Sequence, residues 1–492
     1  MTTENTGQRP RPPRFAARMR ARLAGLRGNR RGAMAVNFAL LLVPLLASVG
    51  FSIDGSRFLL TRYHLQSAVD ASALAVATVY DDKNTIDALA NKFVVKNFTL
   101  DDATLTSVDT QITGDTITVS GTAKMQTLFM SIFAVSEVDV GASTTVKRAG
   151  GGLLVSLVLD NTGSMWSGSP SKIESLRSAS DILVDAIFDG DPEPDDLRVA
   201  IVPYASTVNP GAEAESIVGT HPYGARDPGD KTKWKGCVLE RSGANSIADT
   251  GPDVEKWQPF WYPSDPDDND YDINNPSTIH PGGLSDTNNI TGPNIGCPTP
   301  ITPLTNSYST VTAAVDALTA WNRGGTLGDI GMAWGIRTLS PGAPFTESTE
   351  IDPKTGATLW DSPRWRKAIM IMTDGDNLFY DVHPYSGPGK SDYTGYGRLG
   401  ESQADALFGT DSANAAKDII DDRLLTLCTT AKNQDIIVYT VTFGSAPNAA
   451  TRQTFQDCAT DPGKYYHAPG KATLESAFGA IGAELSKLRI IK

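Results

Sequence analysis

Uncharged apolar runs of very different length punctuate this chain, and their lengths sort its elements. Gly32 to Ile53 carries no charge and includes Leu40-Leu41-Leu42-Val43 and Leu45-Leu46. As a helix it rises about 33 Å, enough to cross a hydrocarbon core of roughly 30 Å. Ser56–Val79 predicts a continuation of that helix, with Phe58, Leu65, Val69 and Val76 spaced seven, four and seven apart. Leu59, Leu60 and Leu74 fall off this stripe, so periodicity alone predicts a simple stalk. Ala68, Ala71, Ala73, Ala75 and Ala77 would allow close packing against a helix or a sheet. Next come a helical stretch at Thr85–Asn97, a hairpin over Gln111–Val119 turning near Gly114-Asp115, and a strand at Val138–Val146. Residues 54–148 therefore predict a helix plus a small α+β module, and Ala149-Gly150-Gly151-Gly152 a flexible hinge.

From residue 152 to 492 the rhythm changes. Short apolar runs at Leu153–Leu159, Leu197–Tyr204, Ala368–Met372 and Ile436–Phe443 alternate with helical patterns. Those helices are Ile173–Phe188, Gly331–Leu339, Ser412–Asn433 and Thr473–Leu488. Continuous rather than alternating strands indicate a sheet covered on both faces, so the expected class is α/β, a doubly wound Rossmann-like sheet. One insertion, about 209–304, is rich in Pro, Gly, Asn and Asp but also holds Trp234, Trp257, Trp261 and Tyr262, which argue against full disorder. Its acidic string (Asp265, Asp267, Asp268, Asp270, Asp272) lacks the Gly and Glu placement of an EF-hand and reads as a solvated loop.

The candidate chemistry sits where the runs end. Leu153–Leu159 runs into Asp160-Asn161-Thr162-Gly163-Ser164, Ala368–Met372 into Thr373-Asp374-Gly375, and Gly324-Gly325-Thr326 opens a further helix. Two carboxylates and three hydroxyls are all hard oxygen donors, which suits Mg²⁺, and open α/β sheets bind ligands at the carboxyl ends of their strands. These three loops resemble those of a von Willebrand factor A (vWA) domain with its metal-ion-dependent adhesion site (MIDAS). The resemblance implies Asp160, Thr162, Ser164, Thr326 and Asp374 as ligands, direct or through water. It also implies Mg²⁺ (or Mn²⁺ or Ca²⁺) as the ion and a vacant position for a partner's carboxylate. Each residue also has a plainer role: Asp160 and Thr162 bracing their own turn, Thr326 capping a helix, Asp374-Gly375 making a turn. Asp160 with Asp374-Gly375-Asp376 also bears a faint likeness to haloacid-dehalogenase-type phosphohydrolases. Their general acid two residues past the nucleophile is Thr162 here, which protonates a leaving group poorly.

Charge and cysteines place the chain. Nine Arg against Glu4 give residues 1–31 about +8, so the net −13 hides a body near −21. A basic tail directly before an apolar span predicts a retained single-pass anchor with a cytoplasmic N-terminus, and the acidic body disfavours nucleic acid. A cleaved signal peptide is the competing reading, but Ser48-Val49-Gly50 is a poor cleavage site. Four cysteines in an exported portion suggest two disulfides, by neighbourhood Cys237–Cys297 and Cys428–Cys458. The five histidines (His64, His221, His280, His383, His467) show no ligand spacing, and there is no GxxxxGK[ST] loop.

Arg30–Leu46 with Gln66-Ser67-Ala68-Val69-Asp70-Ala71-Ser72-Ala73-Leu74-Ala75 resembles the N-terminal segment of TadE/TadG-like proteins of the tight-adherence (Flp) pilus system. In pilin-like relatives a Gly is followed five residues later by Glu. Here Gly32 is followed by Asn37, which favours an uncut anchor. The combined expectation is a non-enzymatic protein of the bacterial inner membrane with a periplasmic vWA-like domain. Its implied partners are pilus or secretion-system proteins, met through the metal site. A surface adhesin using the same site is the alternative.

Overall fold

A computed structural model describes residues 33–489 apart from 80–82, 114–115, 149–150, 220–225, 228, 267–268, 280–290, 322, 381–390 and 446. The basic tail, the Gly114-Asp115 turn, the Ala149-Gly150 hinge, Asp267, Asp268, His221, His280 and His383 lie outside the described residues. The chain divides into two compact units, Met1–Lys147 and Arg148–Lys492.

In the first unit, helix α1 (Ala33–Val76) runs unbroken through Pro44. Among the described residues it is the one helix long and apolar enough to cross a membrane. From Met34 to Val49 its side chains are exposed apart from the half-buried Ala47, the surface expected of a helix whose solvent is lipid. Its second half is not the free stalk that periodicity suggested. Leu65, Ala68, Val69, Ala73 and Val76 are buried against Ile86, Ala90 and Val94 of α2 (Lys83–Asn97) and against a three-stranded antiparallel sheet. The sheet consists of β1 (Ala103–Thr113), β2 (Thr116–Gln126) and β3 (Glu137–Lys147), in that order. Gly121 lets β2 approach the helix, since a Cβ there would lie 3.0 Å from Val69 Cγ2.

In the second unit a six-stranded sheet runs β11-β10-β8-β4-β5-β6. Its strands are β4 (Gly152–Asp160), β5 (Leu197–Tyr204), β6 (Thr302–Thr305), β8 (Trp365–Thr373), β10 (Ile436–Phe443) and β11 (Tyr465–Ala468). All neighbours are parallel except β6, which closes one edge antiparallel to β5. Alternate residues of β4 serve opposite layers. Leu153, Val155, Leu157 and Leu159 pack with α3 (Lys172–Phe188), α4 (Tyr308–Asp316) and α8 (Lys471–Arg489). Leu154 and Val158 pack with α5 (Gly328–Leu339) and α6 (Ala413–Asn433). This is the doubly wound α/β class expected. A short strand pair, β7 (Gly325–Thr326) with β9 (Leu378–Phe379), lies outside the main sheet.

The described part of the insertion is packed rather than loose. Trp234, Trp257, Phe260 and Tyr262 are buried, the Arg241 guanidinium stacks 3.9 Å from the Trp257 ring, and Glu240 pairs with Arg337 of α5 at 3.1 Å. Both disulfides form as paired by neighbourhood. Cys237–Cys297 closes the insertion's aromatic cluster, and Cys428–Cys458 ties α6 to α7 (Ala449–Cys458).

Candidate metal centre

Strand register brings the candidate residues together. Leu159 of β4 lies opposite Met372 of β8, so Asp160 and Thr373 occupy the next positions at the carboxyl ends of adjacent parallel strands. The Asp160 carboxylate is wholly buried and accepts four hydrogen bonds. Thr162 donates to Oδ1 through its N–H (2.8 Å) and its hydroxyl (2.6 Å). Thr373 Oγ1 (2.9 Å) and the Asp374 N–H (3.3 Å) donate to Oδ2. Ser164 Oγ donates to Asp374 Oδ1, and Lys172 Nζ approaches Asp374 Oδ2 at 2.6 Å. Asp160, Thr162, Ser164 and Asp374 are thus linked in one hydrogen-bonded chain. The turn-bracing bonds of Asp160 and Thr162 exist as well, inside the same cluster.

Each hydroxyl of this cluster meets two oxygens. A hydroxyl carries one proton. With both carboxylates ionised, Thr162 donates to Asp160 and Ser164 to Asp374, which leaves no proton for the 3.0 Å contact between the two hydroxyl oxygens; a protonated Asp160 donates to Thr162 and frees the Thr162 proton for Ser164. In the doubly ionised state lone pairs face each other between the two buried carboxylates, with Lys172 the one cation bonded to the cluster among the described residues. Burial, and then the charge of Asp374, push the Asp160 carboxyl up to about 7. A small divalent cation fits this oxygen-only set on chemical grounds, since it satisfies the facing lone pairs and offsets the carboxylate charge. It would be held by Ser164 and Asp374, with Asp160 and Thr162 direct or through water.

Thr326 reaches the site by a different route. Trp321 N–H donates to the Asn161 carbonyl (2.7 Å) and Asn161 Nδ2 to the Thr319 carbonyl (2.9 Å), tying this segment to the first loop. Thr326 itself is buried and pairs in β7 with Leu378 of β9, just past Asp374. The hydrogen bonds that link the other four residues do not extend to Thr326 among the described residues. Thr326 is not a helix cap, because α5 starts after Leu327 with no side-chain capping bond, three residues before the Gly331 at which the pattern places it.

Three contributors escaped the sequence reading. Thr373 shows in the sequence only as the residue that ends its strand, and Lys172 has only a local signal, the Ser171–Glu174 capping box that opens α3. Tyr204 donates from its hydroxyl to the Met372 carbonyl (3.0 Å), bracing β5 against β8 beneath the site. Gly331 of α5 makes room for that ring, since a Cβ there would lie 2.7 Å from Tyr204 Cγ. Asp376, part of the phosphohydrolase likeness, is committed elsewhere: it accepts from the Asn448 N–H (3.1 Å) and Thr451 Oγ1 (2.6 Å) at the start of α7.

Residues 32–79 match the Tad family model, Flp pilus-assembly TadE/G-like. The match covers the candidate membrane segment and the packed half of α1. A search of curated proteins found no match. Among solved structures, the pilus adhesin SpaC from Lactobacillus rhamnosus GG is similar at 12% identity and TM-score 0.34 over 78% of this chain and 34% of that one. The vWF domain of the type V pili tip protein Mfa5 from Porphyromonas gingivalis gives 11%, 0.35, 68% and 95% for the same measures. Proximal thread matrix protein 1 from the mussel byssus, with a zinc-occupied MIDAS motif, gives 10%, 0.30, 69% and 46%. The chain spans about a third of the length of the SpaC structure.

Proposed function

We propose that the chain is a membrane-anchored pilus-assembly or anchoring protein. Its doubly wound domain stands on the side opposite the basic tail and holds protein partners through a MIDAS built from Asp160, Thr162, Ser164, Thr326 and Asp374. The observation that most supports this is the cluster of two carboxylates and two hydroxyls at the ends of β4 and β8, in a chain whose residues 32–79 match a pilus-assembly family. A bound Mg²⁺ or Mn²⁺ supplies an electrophilic seat for a partner's carboxylate. This chain's residues orient that seat: Asp160 fixes the Thr162 loop, Ser164 and Asp374 face it, and Lys172 offsets the Asp374 charge that the ion would take over. The function is binding rather than turnover, since Thr162 occupies the general-acid position and Asp376 is tied to α7. The membrane is taken to be the bacterial inner membrane, with a cytoplasmic N-terminus.

The test is a cell carrying Asp160→Ala with Asp374→Ala in the full chain, checked for unchanged protein in the membrane fraction. Loss of surface pili by electron microscopy is expected; undiminished pili would overturn the proposal. Shearing should leave the protein with the cells, whereas release alongside pili would favour the adhesin reading.

A further inference from the structure

The connection between β2 and β3 carries no charge from Met125 to Ser136, although water surrounds most hairpin tips. It exposes Leu128 (57%), Phe129, Ile132 (76%), Phe133 (63%) and Val135, a cluster of large apolar side chains on one tip. Its place along α1 is fixed by a ladder of contacts. Gly121 sits against Val69 and Leu65, and the Gln126 carbonyl accepts from Arg57 Nη1 at 3.1 Å. The N–H groups of Leu128 (2.9 Å), Phe129 (2.9 Å) and Met130 (2.7 Å) all donate to the Asp54 carboxylate. Phe129 then lies against Gly50, where a Cβ would stand 2.6 Å from Phe129 Cβ. Moving along β2 toward the tip therefore means moving along α1 toward its apolar half. The tip ends level with the last turn of the uncharged run.

Asp54 is the first charged residue after that run, and it is buried. Its carboxylate meets the donors that the short helical turn Met130–Phe133 leaves open at its N-terminus, so the same bonds hide the charge and pin the apolar tip at this depth. We propose that the 128–135 tip is a second membrane-contacting element, inserting into the interfacial layer of the bilayer that α1 crosses. This rests on reading α1 as an anchor. Lipid is the occupant because the tip is continuous with Val49, Phe51 and Ile53, which expose the apolar surface of α1 at the same level. A single helix can tilt and rotate; a helix plus an apolar tip is fixed on its axis, which would orient the folded module at the membrane.

The four native cysteines are paired, so a single introduced cysteine can carry an environment-sensitive fluorophore. Ile132→Cys and Phe133→Cys are compared with Val43→Cys and Val254→Cys in the full chain, reconstituted in phosphatidylethanolamine–phosphatidylglycerol vesicles. Quenchers are attached to the lipid at shallow or deep positions, or are iodide in water. Shallow-lipid quenching at residues 132 and 133 should exceed that at Val254 about threefold, with deep quenching at Val43. Residues 132 and 133 open to iodide, with Val43 quenched deep, would overturn the inserted tip and leave the anchor standing. Shielding from both lipid and iodide would mean a protein partner covers the tip, which also overturns it. An unquenched Val43 would remove the anchor and the tip together.

Discussion

Two buried aspartates in this chain face opposite circumstances. Asp54 accepts three backbone N–H bonds and has Arg57 3.8 Å away, so its charge is matched by fixed dipoles and a cation. Asp160 also accepts four bonds, yet a second carboxylate and two facing hydroxyl oxygens crowd it. Burial alone therefore says little about function. A carboxylate whose donors close the account is a structural fastener, whereas one crowded by a second carboxylate is the candidate seat for a cation.

Removing each carboxylate should break the comparison in opposite ways. Asp54→Ala takes the acceptor from three part-buried N–H groups and should destabilise the first unit by about 3 kcal/mol, read by hydrogen exchange of β2 and β3, with Mn²⁺ binding unchanged. Asp374→Asn keeps the shape but removes a charge. It should cut divalent-cation affinity at least about 100-fold (about 2.7 kcal/mol) while shifting cation-free stability by under about 1 kcal/mol, read by calorimetry and thermal unfolding.

Much of this contrast was legible beforehand, for a physical reason. Strands buried on both faces must be uninterrupted apolar runs, so β4, β5, β8 and β10 stood out, and with them the loops that follow. The edge strand β6 (Thr-Pro-Leu-Thr) and the two-residue β7 were not legible, because edge and bridge strands need no such run. Lys172 and Thr373 depend on which strands become neighbours, a long-range fact that local pattern does not carry. Likewise the stripe on α1 was visible, but its partner sheet lay in alternating Thr, Ser and Val residues of ordinary polarity.

pH sharpens the comparison further. With Asp160 raised to about 7, cation binding must displace a proton below that pH. Affinity should fall about tenfold per pH unit below 7 and level off above it. The sign for stability is the reverse. The folded pKa exceeds the ordinary value near 4, so this group's stabilisation of the cation-free protein is complete below 4 and is lost as pH rises through 7. Lys172→Met should have the smallest effect. It removes a competing positive charge beside Asp374 and should raise cation affinity about threefold, measured at constant ionic strength.

The central claim is tested most directly by saturating the full chain with Mn²⁺ and locating the ion by anomalous scattering. The account predicts one ion at the ends of β4 and β8, bonded to Ser164 Oγ and the Asp374 carboxylate, with Thr326 in its shell directly or through one water. No uptake, or an ion elsewhere with Thr326 out of reach, would contradict it.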